Sequence, residues 1–289
     1  MIQYYRGTEQ DMEVLFSAFQ AGFIDYMIKF ELSLEQFAAH FFGPEGNARE
    51  HSFVAMRGEE PVGLILGGMK QYEGVQTMRC GTLAVKPDLR GQGVSRELFT
   101  LHQEEAVQQG CRQLYLEVIV GNDRAIAFYN KLGYQRRYDL NYYTLNAASG
   151  LAIPPLQDAI QNSALTIGQL DKEQFIEALQ DRGDFHLNWQ NDLDYITWSD
   201  RNLFYGVRMN GRSIAAMAIT PQGRISLLTV NEDYRNRGIA RRLLATAIRE
   251  LALTRLQISF SSNDALQGFL QRLGFQKDSI QQYEMYKFL

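Results

Sequence analysis

The second half of this 289-residue chain repeats the first, and that constrains its fold more than any single motif. At a constant offset of 145, segment 83–98 lies against 228–243, and Leu83, Val85, Asp88, Arg90, Gly93, Arg96 and Leu98 each meet an identical residue. Further on, "NDRAIAFYNKLGY" from Asn122 meets "NDALQGFLQRLGF" from Asn263 at an offset of 141. The four-residue difference in offset fits one shorter surface loop in the second copy. An internal duplication of this size implies two similar units, and the length suffices for two ordinary domains with their own cores. Segment 146–155, "NAASGLAIPP", breaks the periodicity with small residues, Gly and a Pro pair, and marks the boundary. The expected domains are 1–146 and 161–289, joined by a linker over 147–160.

Each copy mixes strands and helices. "IQYYR" reads as a strand, and 11–26 has helical spacing with Met12, Leu15, Phe16 and Phe19 on one side. A second helix is expected around 34–42. "SFVAMRG", "PVGLILGGMKQY" and "VQTMRCGTLAV" read as an antiparallel sheet with a hairpin turn at 58–61. Val94, Leu98 and Leu101 predict a helix with one buried face. "LYLEVIV" is a buried strand, 122–132 a helix, and "YQRRYDLNYYTL" one or two further strands. The second copy restates the order: "LTIGQL", a helix over 171–179, an aromatic segment of undefined structure, then "LFYGVRM", "RSIAAMAI" and "RISLLTV".

A formal charge of -4 offers no basic footprint for nucleic acid. Two cysteines, Cys80 and Cys111, and four histidines show neither a disulfide framework nor metal-ligand spacing, so no metal is expected. The opening "MIQYYRGTEQDME" lacks a leader pattern, and no run of about 18 apolar residues offers a membrane span. A reducing cytoplasm is the expected location.

Chemistry concentrates at "LRGQGVSREL", residues 89–98, a glycine-bearing turn between a strand and a helix. The first N–H groups of a helix lack intrahelical acceptors, and glycine lets an anion approach the backbone, so the turn is either a phosphate cradle or a plain loop. Arg90-Gly91-Gln92-Gly93-Val94-Ser95 resembles the R/Q-x-x-G-x-G/A signature of the GNAT superfamily of acetyl-CoA-dependent N-acetyltransferases, with Ser95 in place of the usual Gly or Ala. "LEVIVGNDRAIAFYNKLGY" resembles the second GNAT signature, and Arg235-Asn236-Arg237-Gly238-Ile239-Ala240 repeats the first. The resemblance covers nearly the whole chain as a tandem pair. It implies an α/β fold of the α+β type: two units, each a mixed, mostly antiparallel sheet of about six to seven strands, flanked by helices and splayed at the fourth and fifth strands. It also implies that residues 90–95 bind the pyrophosphate of coenzyme A through backbone amides. The pantetheine arm would lie along Leu83, Ala84 and Val85, with Asn122 helping to hold it. Val230, Arg235, Arg237, Gly238, Ile239 and Ala240 are a possible second cradle.

Acetyl transfer to an amine needs an unprotonated amine, a polarised carbonyl and a proton for the leaving thiolate. Tyr129 stands where many relatives carry the general acid; its alternative is a core aromatic. Glu117 interrupts an otherwise apolar strand, so it is either a base or a structural hydrogen-bonding group. Its spacing to Tyr129 is similar to that in the ribosomal-protein alanine N-acetyltransferases, where the strand glutamate is the base. The offset of 141 sets Ile258 and Leu270 against Glu117 and Tyr129, so ordinary acid–base transfer is expected in the first copy only. Asp25 and Tyr26 fall where the family gates its acceptor, and Cys80 reads as a hydrophobic filler sooner than a nucleophile. The expected activity is direct transfer from acetyl-CoA to a primary amine, small-molecule or peptide, by a monomer or homodimer. The alternatives are a non-catalytic coenzyme A sensor and a transferase for a different acyl group.

Overall fold

The computed structural model describes residues 1–43, 45–146, 150–151, 165–180 and 186–289. The expected linker, 147–160, lies outside the described residues apart from 150 and 151. Contacts divide the chain into two compact units, Met1–Tyr138 with Tyr283–Leu289, and Asp139–Gln282. A linear reading gives the last seven residues to the second copy. They fold with the first because the closing strand, β12 (Gln276–Phe288), pairs with β5 (Gln113–Ile119).

In the first unit, β1 (Ile2–Arg6), β2 (Ala48–Arg57), β3 (Glu60–Tyr72), β4 (Val75–Val85), β5 and the end of β12 lie side by side in that order. Alternation along the strands makes two cores. On one face, Met78, Cys80, Leu114, Leu116 and Val118 pack against α3 (Val94–Gln108) and α4 (Asp123–Lys131). On the other, Val54, Met56, Leu64, Leu66 and Ala84 pack under α1 (Met12–Phe23) and α2 (Leu34–Phe41). Burying each large apolar side chain contributes about 2 kcal/mol, which is why the strand alternation dictates the layering.

The second unit orders its strands as the start of β12, then β6 (Gln135–Asn146), β11 (Arg255–Ser261), β10 (Arg224–Val230), β9 (Arg212–Ile219), β8 (Leu203–Met209) and β7 (Leu165–Leu170). Leu243, Leu244 and Ala247 of α7 (Ile239–Glu250), with Leu270 of α8 (Asp264–Arg272), cover one face. On the other face, Phe175 of α5 (Lys172–Ala178) and Ile196 of α6 (Leu193–Trp198) pack against Ala216, Ala218 and Leu227.

Both units are mixed sheets flanked by helices, and both splay where the family resemblance implies. The parallel β4–β5 ladder runs from Thr77↔Gln113 to Cys80↔Leu116 and ends there. The β10–β11 ladder pairs Arg224↔Gln257 and Ile225↔Ile258 and ends likewise. A bulge precedes each opening. The β3–β4 register steps from Gly67↔Cys80 to Leu66↔Thr82, leaving Gly81 as the extra residue. The β9–β10 register steps from Ile219↔Ile225 to Ala218↔Leu227, leaving Ser226, the counterpart of Gly81 at the offset of 145. A bulge bends its strand and raises the local twist, which carries β4 and β10 away from their parallel neighbours.

Candidate active site

The turn after β4 has the form of an anion site. Gly93 is the N-cap of α3 in the left-handed conformation, φ 91° and ψ -11°, and no side chain caps the helix. Gly238 starts α7 in the same way, with φ 78°. A side chain at Gly91 or Gly93 would meet no atom within 4 Å, so the backbone there is open to a ligand. Gln92 Nε2 donates to the Asp88 carbonyl at 2.8 Å, fixing the turn. Val94 and Ile239 point into the cores, leaving only their N–H groups available to a phosphate, while Ser95 is half-buried.

Arg90 does something the sequence reading missed. Its Nε donates to the Val85 carbonyl at 2.8 Å, and its terminal nitrogens reach the Gly22 carbonyl at 2.9 Å and the Asp25 carboxylate at 2.5 and 2.6 Å. It therefore staples the turn to the end of β4 and to the end of α1. Arg235 repeats the first bond, its Nε donating to the Val230 carbonyl at 3.1 Å, and then pairs with Glu232 at 3.0 Å. Persistence of this arginine across the offset was the available signal. Arg237 lies over the Tyr234 ring, 5.7 Å from its centroid, while Ala240 lines the second-unit cavity.

Around the β4–β5 opening the structure brings together most of the expected residues of the first unit. Tyr129, 8% exposed, packs in the same core as Cys80, which forms the last pair of the ladder. Burial holds the Tyr129 phenol well above its usual range, so it keeps its proton, and burial pushes the Cys80 thiol up to about 12. Cys80 is thereby an inert thiol in the core. Asn122 accepts from the Ala125 N–H at 3.3 Å, capping α4, and burial raises the Tyr26 phenol above its usual range. The Arg90 hydrogen bond holds Asp25 below the usual carboxylate range. Leu83 and Val85 face the α3 core and Ala84 lies under α1, so β4 offers a ligand its backbone.

Glu117 occupies the other face of the sheet. Odd positions of β5 point away from the Leu114–Leu116–Val118 face, so Glu117 and Tyr129 flank the opening from opposite sides. The Glu117 side chain is 3% exposed; it accepts from Arg79 at 2.9 Å and from the Tyr115 hydroxyl at 2.9 Å. Arg79 also donates to the Glu45 carbonyl at 2.7 Å and carboxylate at 2.8 Å. Burial lowers the Arg79 pKa, but Glu45 and Glu117 more than reverse that, so the guanidinium stays charged.

In the second unit the ladder corrects one sequence alignment. Ile225 is the counterpart of Cys80, and it pairs with Ile258 as Cys80 pairs with Leu116. Ile258 thus takes the place of Leu116, and Ser259 that of Glu117. The offset of 141 misplaces them by one because β11 connects to its helix through one residue fewer than β5 does. Leu270, fully buried, replaces Tyr129. The opening itself is a cavity of about 510 Å³, lined by Thr229, Val230, Gly238, Ser259 and Asn263 among others. Among the described residues no group of three or more His, Cys, Asp or Glu is placed to hold a metal, and no helix is long and apolar enough to cross a membrane.

Comparison with known proteins agrees with this geometry. The acetyltransferase (GNAT) family matches residues 14–134, and a second GNAT domain matches 174–286. N-alpha-acetyltransferase 30 of Schizosaccharomyces pombe is 31% identical over 99 residues, 34% of this chain and 65% of that protein. N-alpha-acetyltransferase MAK3 of Arabidopsis thaliana is 34% identical over 96 residues, 32% of this chain and 50% of that protein. The chain thus spans between half and two thirds of these relatives. Among solved structures, a GCN5-related N-acetyltransferase from Sphaerobacter thermophilus superposes with a TM-score of 0.70 at 13% identity, covering 100% of this chain and 95% of that one. A tandem GNAT protein from the clavulanic acid biosynthesis pathway also gives 0.70 at 13% identity, covering 100% and 98%. With two family domains in tandem, each built around a splayed sheet and a glycine-capped helix, the chain belongs to the GNAT acetyltransferase family.

Proposed function

We propose that the first unit transfers an acetyl group from acetyl-CoA directly to a primary amine within a ternary complex. The observation that carries this reading is the Tyr129 phenol, buried and held in its protonated form in the core that reaches Cys80 at the end of the β4–β5 ladder. The amide groups of 91–95 receive the pyrophosphate, the backbone of 83–85 pairs with the pantetheine arm, and Asn122 fixes its inner end. The amine nitrogen attacks the thioester carbonyl carbon, and an N–H at the Gly81 bulge polarises that carbonyl. The C–S bond breaks with its electron pair on sulfur, and Tyr129 protonates the thiolate. Glu117, on the opposite face, takes the proton that the amine sheds. Acid and base on opposite faces suit a reaction whose nucleophile enters one side of the sheet and whose leaving group departs from the other.

The names of the curated relatives favour a peptide α-amine as the acceptor, with the Tyr26 phenol to meet it, since the Asp25 carboxylate is already neutralised by Arg90. The second unit, with Leu270 and Ser259 in the reactive places and a cavity of about 510 Å³, suits coenzyme A binding without transfer. The test is CoA release from acetyl-CoA over a panel of peptides and small amines, with products read by mass spectrometry. Acetylation of an α-amine, abolished by Tyr129→Phe, supports the reading. Turnover unchanged in Tyr129→Phe contradicts it.

A further inference from the structure

We infer that Asn47 positions the acceptor amine, an inference that rests on the acetyl-transfer reading above. Asn47 follows α2 and is 5% exposed. Its Nδ2 donates to the Phe41 carbonyl at 2.8 Å, which fixes the orientation of the amide. Its Oδ1 is thereby turned toward the sheet, where it is buried without a hydrogen-bond partner. That oxygen lies against the bulge: a Cβ built on Gly81 would collide with it. Gly81 is next to Cys80, at the end of the β4–β5 ladder, so the oxygen sits at the opening on the face that carries Arg79 and Glu117.

Leaving a buried carbonyl oxygen without a partner is destabilising, so an amide held this way needs a donor supplied from elsewhere. A primary amine entering on the α1–α2 face brings two N–H groups along with the lone pair that attacks carbon. One N–H directed at Asn47 Oδ1 turns that lone pair toward the thioester. The second unit also holds a buried asparagine with an unpartnered oxygen, though on different donor contacts. Asn191, 2% exposed, donates from Nδ2 to the Ser259 carbonyl and hydroxyl at 3.1 Å each, and its Oδ1 also has no partner. It lines the cavity together with Ser226, the counterpart of Gly81.

The test compares the wild type, Asn47→Asp and Asn47→Leu in the full chain, with hydroxylamine as a probe amine small enough to need no acceptor pocket. Asp keeps an acceptor oxygen and loses the Phe41 bond; Leu loses both. Acetyl-CoA affinity by calorimetry, thermal stability, and the KM and kcat for hydroxylamine are measured for each. Similar stability losses in both variants, unchanged acetyl-CoA affinity, and an amine KM raised at least tenfold in Leu but no more than threefold in Asp support the assignment. Equal amine kinetics in the two variants make Asn47 a loop clamp and overturn it, as does loss of acetyl-CoA affinity. A wild type that binds no acetyl-CoA, or gives no rate above the uncatalysed one, overturns the transferase reading and this inference with it, and that failure is visible before any variant is made.

Discussion

Tyr129 is held by packing on all sides, so replacing it with Phe removes one hydroxyl and little else. Loss of a general acid lowers rates by roughly 10²–10⁴. Tyr129→Phe is therefore expected to lower kcat about a hundredfold while leaving the acetyl-CoA dissociation constant within threefold, read by steady-state kinetics and calorimetry. A fall in affinity equal to the fall in rate would make Tyr129 a structural residue. Glu117→Gln keeps the shape of the Arg79–Tyr115 contacts and removes the basic oxygen. It is expected to lower kcat/KM at least tenfold with thermal stability retained; an unchanged kcat/KM would make Glu117 a structural partner of Arg79. Cys80 was legible as a filler from its place in an apolar strand, whereas the tie from Arg90 to Val85 was not, because a side-chain bond to a carbonyl five residues back leaves no periodicity.

The strands and helices flanking the site were legible because alternation and 3.6-residue spacing report burial directly, as with Val94 and Leu98 in α3. Register was not. Nothing in "LQISFSSND" says which residue pairs with β10, and only the ladder replaces Ile258 by Ser259 opposite Glu117. The pairing of β12 with β5 was hidden for the same reason: a strand's partner is set by topology. The helix α3 also carries a cost. His102 is fully buried with neither ring nitrogen hydrogen-bonded, and burial lowers its pKa to about 3. The unfolded chain binds that proton near pH 6.5 and the folded chain near 3, so stability rises with pH across this window and is lost as pH falls through it. His102→Leu should flatten the acid limb of the thermal-unfolding profile between about pH 6.5 and 3, while leaving α3 intact by circular dichroism. An unaltered limb would place the acid sensitivity elsewhere, for instance at Glu105, which Arg6 and His51 hold below its usual range despite burial.

Duplication gave this chain two openings of one design, and the acid and base proposed for the first have no counterparts in the second. The bulge, the left-handed glycine, the arginine staple and the capping asparagine recur in both units. Backbone features survive in the second unit, while Tyr129 and Glu117 have become Leu270 and Ser259. The most direct measurement is calorimetric titration of acetyl-CoA into the wild type, Gly93→Trp and Gly238→Trp, each confirmed folded, with turnover measured on the same samples. The account predicts two binding equivalents in the wild type and one in each variant, with turnover lost in Gly93→Trp and kept in Gly238→Trp. No binding by the wild type, or turnover that survives Gly93→Trp and disappears in Gly238→Trp, would contradict it.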